Sequence, residues 1–152
     1  MYFMDFKQYT NFHNLEKYSF LWSEASLLIS AVALFIGGIP PIFKIIPSIF
    51  YGITASLLGL AWIISGVAAV YLLYRWNANN RMLFNTIRNM DTAAFMVSII
   101  LGLNLGVTGI MGINIAMSIS SSTVLFIITG ILFIVSAGYL YKRWNESGKK
   151  IF

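Results

Sequence analysis

The sequence contains no cysteine, a single histidine and few charges. The absence of cysteine excludes disulfides, zinc–thiolate sites, thiolate nucleophiles and cysteine-ligated iron–sulfur clusters. Only 10% of the 152 residues are charged and 59% are hydrophobic, whereas about a quarter of the residues of a soluble domain carry charge. The mean hydropathy of +0.80 therefore favours a chain that lies in lipid.

The few charges are clustered, and long uncharged stretches separate the clusters. Apart from Lys44, they fall in the N-terminal segment, between Arg75 and Asp91, and after Tyr141. A helix needs roughly 20 apolar residues to cross the hydrocarbon layer, and four stretches meet that requirement. They lack the alternation of a barrel strand, so we predict helices. The predicted spans lie near Ser23–Pro40, Ser48–Tyr74, Thr92–Ile115 and Ser118–Tyr141.

The connections differ in length and composition. The first, GGIPPIFKIIPS, combines glycine with three prolines and predicts a stiff turn, and the last, INIAMSISSS, is short and uncharged. Within the longer middle connection, RMLFNTIRNM is interpreted as an interfacial helix. The predicted segments are an N-terminal interfacial segment (1–22), a first hairpin (23–80), a connector (81–91), a second hairpin (92–145) and a tail (146–152). Mixed charges before the first span favour a retained anchor over a cleavable signal peptide.

The basic residues predict the orientation. Nine of the ten lie on the side shared by the N-terminus, the middle connection and the C-terminus, and only Lys44 lies opposite. The positive-inside bias therefore predicts a multi-pass protein of the cell membrane with both termini in the cytoplasm. Because these residues flank apolar spans, the lipid bilayer is the expected partner and nucleic acid is not.

The chain shows an internal repeat. YLLYRWN (residues 71–77) aligns with YLYKRWN (residues 139–145) at an offset of 68, and extending that register without a gap over residues 13–84 and 81–152 gives 16 identities in 72 pairs. We interpret this as two tandem helical hairpins of the same orientation, related as a parallel repeat. Convergence of two span ends on one interfacial anchor is the alternative.

Small residues recur at helical spacing in each span, most clearly in the third, at Ser98, Gly102, Gly106 and Gly109. Such a stripe lets helix backbones approach closely. We expect a helix–helix contact inside the bundle, and contact with a partner subunit is the alternative.

Polar residues within the spans are few. Asn104 and Thr108 share a face of the third span, where interhelical hydrogen bonding or the lining of a small polar cavity is expected. The duplicated RWN places Arg75, Trp76, Arg143 and Trp144 at span ends. There we expect interfacial anchoring, with recognition of lipid headgroups or a partner as the alternative.

Candidates for catalysis are few. Glu24 and Asp91 fall at the predicted starts of the first and third spans, where an acidic side chain suits a helix N-terminus, so no ionisable group is expected at membrane depth. His13 lies outside the spans, so haem ligation by two histidines of one chain is excluded. No base is placed to activate a serine or threonine. Neither a catalytic residue nor a metal or cofactor site is therefore expected.

The doubled hairpin resembles the duplicated proteolipid subunits of rotary ATPases over its whole length. That resemblance implies a membrane complex, but those subunits carry a carboxylate in a late span, and the second and fourth spans here have none. Small multidrug exporters also have four spans and depend on an intramembrane acid. Our leading hypothesis is a non-catalytic membrane subunit or assembly protein that packs into a larger complex or homo-oligomer. A small channel or transporter with a path between the repeats, around Asn104, and an accessory subunit of a redox or lipid enzyme are the alternatives.

Overall fold

The computed structural model describes residues 11–119 and 122–152, which form helices joined by turns, without a β-strand. Four helices are long and apolar enough to cross a membrane, as expected of an all-α multi-pass membrane protein. The long helices are α1 (Phe12–Phe35), α3 (Tyr51–Ala78), α4 (Asn89–Met111) and α6 (Thr123–Glu146). The first turn contains a short helix, α2 (Ile42–Ile45), and a 3-10 turn (Ser48–Phe50), and the last contains α5 (Ile115–Ile119).

Helix α1 begins eleven residues before the predicted start at Ser23. The added residues include polar ones, which interrupted the apolar run in the sequence, but the structure buries Glu16 and Ser19 against the other helices. Glu24 is consequently the thirteenth of 24 residues in α1. The prediction that Glu24 caps a helix start is therefore wrong. Asp91 does lie in the first turn of α4.

The middle connection is not a helix, so the predicted interfacial helix over residues 81–90 is wrong. The chain turns sharply at Asn80 and Arg81, both with positive φ, and α4 begins only at Asn89. Leu83 and Phe84 are 1% and 4% exposed. These side chains pack under the helix ends, and that tertiary packing replaces the expected insertion into headgroups.

All four long helices meet at one end of the bundle, which we call the arginine end because Arg75 and Arg143 lie there. Arg75 pairs with Glu16 near the start of α1, and Arg143 pairs with Asp91 at the start of α4. Helices α1 and α4 therefore both start at the arginine end, and α3 and α6 finish there. The opposite end, formed by the first and last turns, is called the turn end.

The most extensive helix–helix contacts join helices of different predicted hairpins. Helix α3 packs most extensively against α4, and α1 packs most extensively against α6. Each of these pairs takes one helix from each predicted hairpin. The antiparallel contacts within the predicted hairpins, α1 with α3 and α4 with α6, are less extensive.

Helices α3 and α6 finish in the same way at the offset of 68. After each RWN the chain passes through two residues of positive φ, Asn80–Arg81 and Gly148–Lys149. Arg81 N donates to Trp76 O, and Lys149 N donates to Trp144 O, both at 2.9 Å. Each of these cations also lies over the tryptophan ring of its own helix end.

Helices α1 and α4, by contrast, match at an offset of 75. Glu16 and Asp91 are the two acids that pair with the RWN arginines. The seven buried residues of α1 (Glu16, Ser19, Phe20, Ser23, Glu24, Leu27 and Ala31) correspond at this offset to residues of α4 that are all buried. The ungapped alignment therefore pairs residues of these two helices that do not occupy matching places. The seven-residue difference is shared between the first turn (residues 36–50), which is longer than the last (residues 112–122), and α3, which has 28 residues against 24 in α6.

Candidate functional site

The glycine stripe of α4 lies against α3. A Cβ built on Gly106 would lie 2.7 Å from Gly66 Cα, and one built on Gly102 would lie 2.7 Å from Ala69 Cβ. A Cβ on Gly109 would lie 2.8 Å from Gly59 O. Since real Cβ contacts essentially never fall below 3.0 Å, the two backbones approach as closely as glycine allows. Ser98, at the other end of the stripe, is also buried. The stripe is thus occupied by packing within the chain.

Asp91 anchors a buried polar cluster at the arginine end. Its side chain is fully buried, and both of its oxygens accept hydrogen bonds from the Arg143 guanidinium, at 3.0 and 3.1 Å. Tyr139 donates its hydroxyl to Asp91 Oδ1 at 2.6 Å, and Thr86 donates to Oδ2 at 3.2 Å. A bidentate arginine and two hydroxyls satisfy this carboxylate. The cluster fixes the end of α6 to the start of α4.

The RWN residues are engaged within the chain. Trp144 is only 4% exposed and packs against Phe20, with ring centroids 5.6 Å apart. Trp76 packs against Phe95, donates its Nε1 hydrogen to Arg81 O, and remains partly exposed. Trp144 therefore belongs to the core and not to the lipid interface, which corrects the prediction that it acts as an interfacial anchor. Arg143 is likewise held by Asp91 and Glu146.

A cavity of about 370 Å³ lies between the four long helices toward the turn end. Its lining is mostly apolar, with Trp62, Leu101 and Phe133 among the larger side chains. The polar groups at its wall come from Ser30, Asn104, Asn114 and Thr129. None of the described lining residues is charged.

Asn104 both lines this cavity and holds the last turn in place. Its Nδ2 donates to Asn114 Oδ1 at 3.0 Å, and its Oδ1 accepts from Ala116 N at 3.2 Å. Asn114 Oδ1 also accepts from Met117 N. Thr108 donates its hydroxyl to Asn104 O at 2.8 Å, as the shared face of the two residues allows. The amide pair thus closes part of the cavity wall with satisfied polar groups.

Glu24 is a buried acid that sequence reasoning placed at a helix start. It is 6% exposed, and its Oε1 has no hydrogen-bond partner within residues 11–119 and 122–152. On α1 it lies between two core residues, Phe20 and Leu27. Phe20 belongs to the core at the arginine end, and Leu27 packs in the next layer with Leu101, Leu105 and Ala137. Glu24 shares its inward face with Glu16, Phe20 and Leu27, but contacts with the other helices, which the sequence does not contain, determine that this face is buried.

No protein-family model, curated protein or solved structure matches this chain.

Proposed function

We propose that the protein is a small membrane carrier that binds a solute in the cavity between its four long helices. The observation that supports this proposal is the cavity itself, which is walled by residues of α1, α3, α4 and α6. A space bounded by every long helix changes shape when any of them moves. This places a bound solute where helix motion can transfer it between the two sides of a membrane.

The size and lining of the cavity favour a small amphipathic solute. Its volume of about 370 Å³ falls at the lower end of the roughly 300–1,000 Å³ that ligand sites occupy. Apolar side chains cover most of the wall, and the hydroxyls of Ser30 and Thr129 provide hydrogen-bonding groups. A few polar groups in an apolar wall are the usual means of orienting a ligand.

A cavity-filling variant tests this proposal. Purified protein is screened by thermal unfolding in detergent against small amphipathic solutes, and each stabilising compound is then tested for uptake into proteoliposomes. A ligand at 100 times its Kd stabilises the folded state by about 2.7 kcal/mol. Ala33→Phe, which places a ring in the cavity, is expected to abolish both stabilisation and uptake.

The matched control is Ala55→Phe, because Ala55 is exposed on α3 and does not line the cavity. It should behave like the wild type. If every stabilising compound protects Ala33→Phe as well as the wild type, the cavity is not the solute site.

A membrane subunit or assembly protein is the second candidate. It draws support from an apolar groove of about 560 Å³ on the outer face of α3 and α4, lined by Val67, Val70, Leu103 and Val107 among others. Partner subunits or a second copy of the chain are the expected occupants. The wild type should run as an oligomer in detergent, and Leu103→Trp, which fills this groove, should reduce the oligomer mass while leaving solute binding in the cavity unchanged.

We also propose that the two hairpins are tandem copies and that the arginine end faces the cytoplasm. The matching turns after each RWN support the duplication, as do the matching acids at the offset of 75. The first copy then has seven more residues than the second, divided between its turn and the start of α3. The orientation rests on the positive-inside bias of the basic residues.

A further inference from the structure

We infer that the Glu24 carboxyl releases its proton when a cationic solute binds in the cavity one layer away, so that the protein exchanges a proton for a cation and the solute that it carries is a cation. This inference rests on the proposed carrier function. It specifies that the solute is a cation, and it adds the Glu24 carboxyl to the cavity as a second part of the transport path. Three observations support it. Glu24 lies deep in the bundle, it has no ion-pair partner among the described residues, and the matching place on α4 holds an aliphatic side chain.

Glu24 lies deep in the bundle. It is eight residues beyond Glu16 on the same helix, which corresponds to about 12 Å along the axis at 1.5 Å per residue. Glu16 marks the level of the arginine end, where it pairs with Arg75. A layer formed by Leu27, Leu101, Leu105 and Ala137 lies beyond Glu24, and Leu101 and Leu105 also line the cavity. One apolar layer therefore separates the acid from the cavity.

Among the described residues, no cation is paired with Glu24. The ionisable groups that the other long helices bring to the arginine end include Tyr71 and Arg75 on α3, Asp91 on α4, and Tyr139 and Arg143 on α6. Both arginines are engaged by other acids, and Tyr139 donates to Asp91. Lys17, two turns away on α1, forms no ion pair with Glu24, and Glu24 Oε1 lacks a hydrogen-bond partner in the part of the chain that the structure describes. Burying an unpaired carboxylate is too costly to sustain, so this group carries a proton at rest.

The fold does not need an acid at this position. At the offset of 75, the residue of α4 that matches Glu24 is Ile99, which is only 2% exposed. An aliphatic side chain thus fills the equivalent buried place. Two neighbouring pairs keep their character, Phe20 with Phe95 and Ser23 with Ser98, whereas Leu27 is matched by Gly102. Since an aliphatic side chain occupies the place equivalent to residue 24, packing alone does not require an acid there.

The charge that remains when Glu24 loses its proton determines which kind of solute the protein binds. When the proton leaves, a buried carboxylate remains, and only a positive charge offsets its cost. The cavity wall offers neutral oxygen atoms and no charged side chain among the described residues. Among the acids of the described residues, Glu24, one layer below the cavity, is the one without an ion pair, and it is therefore the acid available to a cationic solute in the cavity.

Proton release on binding tests the exchange. Tetrapropylammonium is permanently charged and has no ionisable proton, so every proton released on its binding comes from the protein. In weakly buffered detergent at neutral pH, the wild type should release on the order of one proton per bound cation, and binding should tighten by up to about tenfold per pH unit as pH rises. Glu24→Gln should weaken binding at least about tenfold and release no proton.

Glu146→Gln is the control because Glu146 lies on the exposed end of α6, and it should bind and release as the wild type does. Binding by the wild type without proton release would overturn the inference, as would equal release by Glu24→Gln. Failure of the wild type to bind tetrapropylammonium at all would overturn the assignment of a cationic solute.

A carbodiimide separates this inference from the carrier proposal. Dicyclohexylcarbodiimide modifies protonated carboxyl groups in apolar surroundings. It should therefore label residue 24 in the wild type and in Ala33→Phe, but not in Glu24→Gln. Absence of labelling in the wild type would refute the resting proton. If Ala33→Phe still binds the cation and releases protons, the cavity is not the solute site, but exchange at Glu24 stands.

Discussion

Phe20 and Phe95 hold matching places in the two halves of the bundle. Phe84 meets the edge of the Phe20 ring and Phe152 that of Phe95, each with centroids 6.3 Å apart and planes at 82° and 88°. A tryptophan from the other predicted hairpin packs against each ring at an interplanar angle of 42°. The two rings are 2% and 1% exposed.

Because Phe20 and Phe95 have equivalent surroundings, replacing either with alanine should lower the stability of the fold by a similar amount. Phe20→Ala and Phe95→Ala should each destabilise the fold by about 3 kcal/mol, because each leaves a cavity beneath two aromatic neighbours. Unfolding in detergent measures both. Phe12→Ala, at a position that is 70% exposed, should have almost no effect. A large loss for one buried ring and none for the other would contradict the match between the two halves.

Gly106→Leu should destabilise the protein strongly. Even the first side-chain carbon would meet Gly66 Cα at 2.7 Å, and overpacking of this kind costs roughly 1–3 kcal/mol or more. The measurement is the midpoint of thermal or denaturant unfolding in detergent.

Gly138→Leu is the matched control, since Gly138 is an exposed glycine within α6 with nothing within 4 Å of its Cβ position. It should leave the midpoint nearly unchanged. Ile99 is not a suitable control because its side chain is only 2% exposed. Equal midpoints for the two leucine variants would mean that α3 and α4 do not pack as described.

Asp91→Asn should cost about 3 kcal/mol, because it leaves the Arg143 guanidinium, whose side chain is 12% exposed, without its buried counter-charge. Lys142→Gln removes an exposed pair with Glu146, at 3.9 Å, and should cost less than about 1 kcal/mol. Denaturant titration of both variants in detergent compares them. Similar losses would show that the buried pair contributes no more than the exposed one.

Single cysteines test the orientation without removing any native thiol, because the sequence has none. Asn77→Cys and Asn145→Cys occupy matching exposed positions at the arginine end, and Ile45→Cys is 81% exposed at the turn end. In intact cells an impermeant maleimide should label Ile45→Cys only. Labelling of the other two, with Ile45→Cys protected, would reverse the assignment.

The sequence predicted the number of long helices, because apolar length alone determines it, and it identified the face of α4 that approaches another helix closely. It missed the start of α1, since Glu16 and Ser19 are buried only by neighbouring helices. It also missed the exposed positive-φ turn after Trp76, where tertiary packing of Phe84 decides the path of the chain.

The predicted offset of 68 matches the ends of α3 and α6 but not α1 and α4, and the reason is physical. Offsets of 68 and 75 differ by seven residues, which is close to two helical turns, so both place residues of the same face together. Small residues such as Ser30 and Ser98 therefore align in the wrong register. Only contacts between helices, such as those of Glu16 and Asp91 with the arginines, distinguish the two offsets. The burial of Glu24 depended on the same missing information.

The close contact between Gly66 and Gly106 also limits which second-site mutations can restore a variant at residue 106. A larger side chain in a core is often accommodated when a second mutation makes the neighbouring residue smaller. Here the neighbour of Gly106 is Gly66, which is already the smallest residue. A selection for revertants of Gly106→Ala should therefore return the original codon or changes that shift α3 as a whole. No substitution at residue 66 can restore the lost space.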